Sequence, residues 1–199
     1  MIPSSTLRRH ILSVYRQATP DEHIAGARWY PLAHDIMRQW ADLYGRPVAT
    51  VAGVTAALSP LLSWPSNLTV AADVLAGQPP SIGLMISANL RRAEHIRDTN
   101  AQTLAPYYRN GWKVRAFAAN LSGDYHRVTV DTHAAQIAAG SPTGRLRIDR
   151  LSAYTAVADA YTDVAEPLAL LTAEIQAITW LTWKRLYPVA LKQKRRQQW

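Results

Sequence analysis

The chain has 199 residues, of which 48% are hydrophobic, so it can bury one sizeable core and its length predicts a single domain. Cysteine is absent, which excludes disulfides, thiolate metal sites and cysteine-ligated iron–sulfur clusters. The formal net charge of +8 predicts a polyanionic partner.

Hydrophobic residues recur with helical periodicity along almost the whole chain, and Gly- and Pro-containing segments separate the helical stretches. The one extended piece that we predict covers residues 127–130. We therefore predict an all-α fold, with residues 1–187 in one helical domain and 188–199 as a basic tail. The predicted helices cover about 5–17, 22–44, 47–59, 66–76, 87–99, 113–121, 131–139, 149–165 and 171–187.

The sequence gives no sign of export or of a membrane span. It contains no run of 18 apolar residues, which is the minimum for a transmembrane helix. The first nine residues lack the order of a signal peptide, so we expect the chain to stay in the cytoplasm.

The first candidate site lies in the turn after the apolar helix over 47–59. Trp64 offers an aromatic face and Asn67 an amide, and together these groups could hold a base that has left the DNA stack. In the other interpretation, Trp64 fills the core and Asn67 caps the next helix.

Lysine is scarce in this chain, and its positions are informative. Of the 22 basic residues only Lys113, Lys184, Lys192 and Lys194 are lysine. Unlike arginine, lysine can lose its proton and act as a nucleophilic amine. Lys113 is therefore either such an amine or a solvated surface cation.

Asp131 lies between an extended segment and a helix. The β-branched run Val128-Thr129-Val130 precedes it and the helix-forming run 134–139 follows, which predicts that Asp131 is a helix N-cap. The interval from Lys113 to Asp131 is 18 residues, enough for a helix and a turn that bring both side chains to one cleft. The carboxylate is then either only a cap or a catalytic group.

The last predicted helix contributes Gln176 and Trp180, which share one face at a spacing of four residues. They either pack in the core or line a base pocket, where an inward glutamine could read a base edge. His133 follows Asp131 closely enough to raise the question of a metal site with His126, but we predict neither a metal nor another cofactor. We assign His133 to the base pocket with Trp64, Asn67, Gln176 and Trp180.

The positive charge is concentrated near the C-terminus. Residues 184–199 hold six cations and no acidic residue, so the other 183 residues have a net charge of only +2. Lys192, Lys194, Arg195 and Arg196 either contact the phosphate backbone or form a solubilising end.

The segments around Lys113 and Asp131 resemble the helix-hairpin-helix superfamily of DNA glycosylases. The hairpin position reads Tyr107 to Gly111, the lysine position is Lys113, and Val130-Asp131-Thr132-His133 resembles the VDTH segment with the catalytic aspartate. The hairpin keeps only its last glycine, and Pro60 stands where that superfamily often has glutamine.

The sequence is similar, over about residues 25–185, to a divergent phage branch of that superfamily linked to DNA hypermodification. This branch includes proposed hydroxymethyluracil DNA kinases and α-glutamyl/putrescinyl thymine pyrophosphorylases. The similarity rests on an SPxxSWxxN turn, a GxKxxxF segment, a VTVDTHA segment and the helix around Glu174 to Trp180.

The resemblance implies a helical fold, often bilobal with a central cleft, and an enzyme that binds double-stranded DNA and flips out a modified pyrimidine. Asp131 and Lys113 would be catalytic, and the backbone amides of Arg109, Asn110 and Gly111 would hold phosphate. The favoured chemistry is glycosylase-like cleavage of the N-glycosidic bond. The alternatives are group transfer at the 5-substituent of hydroxymethyluracil and an inactive DNA-binding or host-inhibiting protein. We expect a monomer.

Overall fold

The computed structural model describes residues 2–83, 87–144 and 146–188, and this part of the chain is helical without any β-strand. The prediction of an all-α fold is confirmed. The helices are α1 (Ser4–Tyr15), α2 (Pro20–Tyr44), α3 (Val48–Leu58), α4 (Trp64–Leu75), α5 (Ser87–Asp98), α6 (Trp112–Leu121), α7 (Thr132–Ala139), α8 (Leu151–Ala165) and α9 (Thr172–Leu186). A 3₁₀ turn at Glu166–Leu168 follows α8, and the predicted tail beyond residue 188 lies outside the described residues.

Helix α7 has a specific residue at each end. Asp131 caps its N-terminus, and Gly140 ends it with φ 68°, a left-handed conformation that favours glycine. A Cβ at Gly140 would lie 2.6 Å from the ring of His10, so the close approach of α1 also requires glycine here. These two signals define a helix of only eight residues.

The chain divides into two compact units. Among the described residues, the terminal unit comprises 2–30, 125–144 and 146–188, and the central unit comprises 31–83 and 87–124. The boundary at residue 30 lies inside α2, directly before Pro31.

Helix α1 lies at the centre of the contacts in the terminal unit, where it packs against α7, α8 and α9. Its residues Leu7, Ile11 and Val14 recur at helical spacing and are buried. The first half of α2 approaches α9 closely, because a Cβ at Gly26 would lie 2.6 Å from the Cα of Ile178. This unit positions most of the candidate site.

The central unit is built around α3. This helix is apolar on all sides, as expected for a helix surrounded by others, and every residue from Thr50 to Leu58 is buried. Helices α4, α5 and α6 pack against it. Gly53 lets the side chains of Ile96 and Leu104 come close, since a Cβ there would lie 3.0 Å from Leu104.

None of the helices in the described ranges combines the length and the apolar composition that crossing a bilayer requires.

Candidate functional site

Asp131 is the N-cap of α7, as the sequence predicts. Its backbone is extended, and its Oδ1 accepts a hydrogen bond from the N–H of Ala134 at 2.8 Å. The positive end of the helix dipole stabilises a carboxylate at this position. The side chain is 21% exposed, so solvent or a substrate can reach it.

The segment leading to Asp131 is held by Tyr154 of α8. The Tyr154 hydroxyl donates to the carbonyl of Val128 at 2.9 Å and accepts from the N–H of Val130 at 3.4 Å. The Val130 N–H also lies 3.0 Å from the Val128 carbonyl, so the predicted extended piece is a tight turn and not part of a sheet. Burial, together with the nearby Asp131 carboxylate, raises the pKa of Tyr154 to about 12, which keeps its phenol protonated.

His133 connects Asp131 to the last helix. Its Nδ1 lies 3.2 Å from Oδ2 of Asp131, and its side chain is 23% exposed. Its ring is perpendicular to the indole of Trp180 on α9, with ring centroids 6.5 Å apart. Asp131, His133 and Trp180 therefore form one contiguous group, which we call the Trp180 cluster.

The Trp180 cluster continues to α2 through aromatic rings. Trp29 contacts Trp180 with centroids 6.3 Å apart, and Trp29 contacts Tyr30 at 4.7 Å. The Tyr30 hydroxyl donates to Oε1 of Gln176 at 2.9 Å. This hydrogen bond uses the side-chain carbonyl oxygen of Gln176 and fixes the orientation of its buried amide group.

Lys184 places a cation against the Trp180 cluster. Its Nζ lies 3.8 Å from the centroid of the Trp180 ring, which is a cation–π contact. Burial lowers the pKa of the Lys184 amine. The next residue, Arg185, pairs with Glu22 of α2 at 2.7 Å and fixes this end of α9.

The structure thus brings together four of the predicted site residues: Asp131, His133, Gln176 and Trp180. The sequence analysis missed Trp29, Tyr30 and the position of Lys184. Helical spacing could have revealed Lys184, because Gln176, Trp180 and Lys184 follow one another at intervals of four residues on one face of α9. No pattern in the sequence links Tyr30 to Gln176.

The other predicted base-pocket residues belong to the central unit. Trp64 is the first residue of α4 and packs edge-on against Phe117, with centroids 6.2 Å apart. Ser63 caps α4, which contradicts the interpretation of Asn67 as a cap. Asn67 is inside α4 and only 1% exposed, and neither polar atom of its side chain has a hydrogen-bond partner among the described residues.

The predicted phosphate-binding hairpin precedes α6 in the central unit. Arg109 and Asn110 are exposed turn residues, and Gly111 is the helix N-cap. The Gly111 N–H donates to the carbonyl of Tyr108, and a Cβ at Gly111 would lie 2.7 Å from the Tyr108 ring. The glycine is therefore required by this close approach.

Lys113 is a half-buried residue in the first turn of α6, whereas Asp131 belongs to the terminal unit. The shared cleft for Lys113 and Asp131 stays a prediction. Lys192, Lys194, Arg195 and Arg196 lie outside the described residues.

In the part of the chain that the structure describes, no group of three histidine, aspartate or glutamate side chains is arranged to hold a metal ion. Together with Trp29, Gln176 and Lys184 around it, the Trp180 cluster offers the chemistry of a carboxylate, an imidazole, a buried amide, two indoles and an amine.

Comparison with known proteins shows a match at the level of a family. Neither the curated proteins nor the solved structures contain a match to this chain. A family model described as "Family of unknown function (DUF7178)" matches residues 2–186. Because this match covers nearly the whole chain, the protein belongs to the DUF7178 family.

Proposed function

We propose that this protein is a DNA-binding enzyme that acts on a flipped, modified pyrimidine base and breaks its N-glycosidic bond. The observation that carries the proposal is the Asp131 carboxylate, held at the N-terminus of α7 and in contact with His133 at the edge of an indole. The resemblance of the Val130 to His133 segment to the glycosylase superfamily supports the same reaction.

The carboxylate suits a reaction in which positive charge develops on a sugar. Breaking the bond between C1′ and the base leaves a cation shared between C1′ and the ring oxygen, and a fixed carboxylate stabilises that charge. The capping bond from Ala134 and the contact with His133 fix the carboxylate before the substrate binds, so little reorganisation accompanies the reaction.

The surrounding side chains suit a nucleobase. The indoles of Trp29 and Trp180 offer flat apolar surfaces, and a base stacks on such surfaces whatever its identity. The Gln176 amide is oriented by Tyr30, so its NH₂ group has a defined direction for a hydrogen bond to a base edge.

The test uses DNA duplexes that contain thymine, 5-hydroxymethyluracil or its phosphorylated form at one position. Each duplex is incubated with the protein, and mass spectrometry scores loss of the base against a change in its mass. We expect base loss from a modified duplex with wild type, and base loss slower by about 10²–10³-fold with Asp131→Asn.

The other outcomes assign the function differently. A changed base mass without base loss identifies group transfer at the 5-substituent. Duplex binding with neither change, together with insensitivity to substitution of Asp131, identifies a DNA-binding protein without catalysis. In both cases the glycosylase proposal is wrong.

A further inference from the structure

A cavity of about 750 Å³ lies between the beginning of α1 and the beginning of α8, within the terminal unit. Small-molecule sites in proteins commonly occupy about 300–1,000 Å³. Among the described residues that line the cavity, none belongs to the Trp180 cluster. It is therefore a separate candidate site, of a size that suits a small molecule.

The inner surface of this cavity is aliphatic. Its apolar lining is formed by the side chains of Ile2, Leu7, Leu146, Ala153, Ala156 and Val157. Leu7 and Val157 lie at its base and are only 2% and 1% exposed, and the short side chains of Ala153 and Ala156 leave room in front of α8. None of the described lining residues is aromatic. The surface therefore suits an alkyl chain, whereas flat rings are usually held by stacking on aromatic side chains.

The rim of the cavity offers a positive charge that no described carboxylate contacts. Arg147 donates two hydrogen bonds to the carboxylate of Asp149, at 2.9 and 2.7 Å, so these two charges offset each other. Arg150 is exposed, and in the described part of the chain its guanidinium has neither a hydrogen bond nor an ion pair. The described lining residues include no acid, and neither α1 nor α8 has one in its first turn. The charge at the rim therefore favours a singly charged anion.

The backbone holds Arg150 in place at this rim. Its N–H donates to the carbonyl of Arg147 at 2.9 Å, and its own carbonyl accepts from the N–H groups of Ala153 and Tyr154 at 3.1 and 3.0 Å. Arg150 is the N-cap residue of α8, but an arginine side chain has no acceptor with which to cap a helix. Capping therefore does not explain this residue. Ser152, exposed in the first turn of α8, adds a hydroxyl at the same rim.

We propose that this cavity binds a free aliphatic monocarboxylate. Its alkyl chain lies against Leu7 and Val157, and its carboxylate accepts two parallel hydrogen bonds from the Arg150 guanidinium, whose planar fork matches a carboxylate. The site takes no part in the proposed DNA chemistry, so the two proposals stand or fall separately.

Isothermal titration calorimetry with the full-length protein tests the head group of the ligand. Decanoate is the probe, and decyltrimethylammonium is its control, because it carries the same chain with the opposite charge. We expect decanoate to bind at one site. The ammonium compound should bind at least about tenfold more weakly, since hydrogen bonds to a charged group contribute that much.

Arg150→Gln tests the cation at the rim and should weaken decanoate binding about tenfold. Arg16→Gln is the matched control, because it removes the same charge at the other end of α1. The 12 residues of α1 span about 18 Å, more than twice the screening length of about 8 Å at 0.15 M salt. The control should therefore keep the wild-type affinity.

Ala156→Leu tests the cavity itself. The added methyl groups would occupy the space that the alkyl chain fills, so decanoate binding should be lost. The midpoint of thermal unfolding should stay the same or rise, because apolar atoms that fill a void stabilise a fold.

Failure of decanoate to bind wild type would overturn the proposal, as would equal affinity for decyltrimethylammonium or wild-type affinity in either Arg150→Gln or Ala156→Leu. Two further measurements address other occupants of the cavity. Binding to phosphatidylglycerol vesicles without binding to decanoate would identify a lipid surface. A dimer in sedimentation that Ala156→Leu dissociates, again without decanoate binding, would identify a second copy of the chain. Either result overturns the proposal.

Discussion

Asp131→Asn separates the capping role of this side chain from the charge that it carries. Asparagine caps helices about as well as aspartate, so we expect the free energy of unfolding to change by less than about 0.5 kcal/mol. If the proposed reaction takes place, loss of the charge should remove the electrostatic stabilisation of the sugar cation and lower the rate of base loss about 10²–10³-fold. Urea denaturation and the base-loss assay measure the two effects on the same preparation.

Asp131→Ala is the complementary variant. It removes the charge and the hydrogen bond to Ala134, so it should cost about 1 kcal/mol of stability as well as the activity. Equal activity of wild type and Asp131→Asn would show that the carboxylate is only a cap.

The ion pair of Glu22 with Arg185 makes the stability of the terminal unit depend on pH. Its hydrogen bonds with Arg185 are the main cause that lowers the Glu22 pKa from 4.5 to about 2. A carboxyl with a lowered folded-state pKa stabilises the fold above its unfolded pKa, and this contribution disappears as the pH falls from about 4.5 to about 2.

Glu22→Gln should therefore lower the free energy of unfolding at pH 7 by about 1–2 kcal/mol, a value reduced for the solvent exposure of Arg185. The difference from wild type should shrink towards zero near pH 2. Denaturation curves at pH 7, 4 and 2.5 measure this change.

Asp21→Asn, at the exposed neighbouring carboxylate, is the control and should cost at most a few tenths of a kcal/mol. A Glu22→Gln deficit that is the same at all three values would contradict the ion-pair explanation.

At the level of helices, Gly26→Ala tests the close approach of α2 to α9. In the middle of an exposed helix, alanine would be more stable than glycine by about 1 kcal/mol. Here the new Cβ would lie 2.5–2.7 Å from side-chain and backbone atoms of Ile178. The backbone cannot move aside as a side chain end can, so we expect a net loss of about 1–3 kcal/mol.

Thermal unfolding measures the effect of Gly26→Ala. Gly83→Ala is the control, because a Cβ at Gly83 would meet no atom within 4 Å. Equal stability of Gly26→Ala and wild type would mean that α2 and α9 separate at little cost.

The helices can be predicted from the sequence, because each buries one face or is bounded by helix-breaking residues. Periodicity predicts every α-helix of the described residues, with each end within two residues of the observed one. The segment 128–130 shows the limit. Its β-branched residues favour extended backbone, but Tyr154, distant in sequence, satisfies the backbone groups of Val128 and Val130 in place of a partner strand.

Only part of the candidate site can be predicted from the sequence, because some of its contacts join residues that are distant in sequence. Asp131 and His133 are close in sequence, and Gln176 and Trp180 share a helix face, so local rules place each pair. The contact between His133 and Trp180 depends on how α7 meets α9, and no local pattern contains that information. The sequence interval between Lys113 and Asp131 likewise says nothing about the distance between their side chains.

At the scale of the whole molecule, we predict duplex binding that weakens steeply with salt. The excess positive charge lies mainly in residues 184–199, and each phosphate that a protein cation neutralises contributes about −0.9 to the slope of log affinity against log salt. Fluorescence anisotropy over a salt series measures the slope.

Removal of residues 190–199 should flatten that slope without abolishing binding, since the hairpin residues Arg109 to Gly111 are retained. Full-length protein that shows no affinity for duplex DNA at low salt would contradict the DNA-binding proposal. A free nucleotide would then be the substrate to test.

The terminal unit is built from two segments that are separated in sequence by the central unit. This arrangement has a consequence for synthesis on the ribosome. Helix α1 is translated well before α7, α8 and α9, the helices that cover its apolar face with Leu7, Ile11 and Val14. At about 5–20 residues per second, some 10–30 s separate the emergence of α1 from that of α9. The central unit is continuous in sequence and can form during this interval, while the α1 face stays available to a chaperone until α9 has emerged.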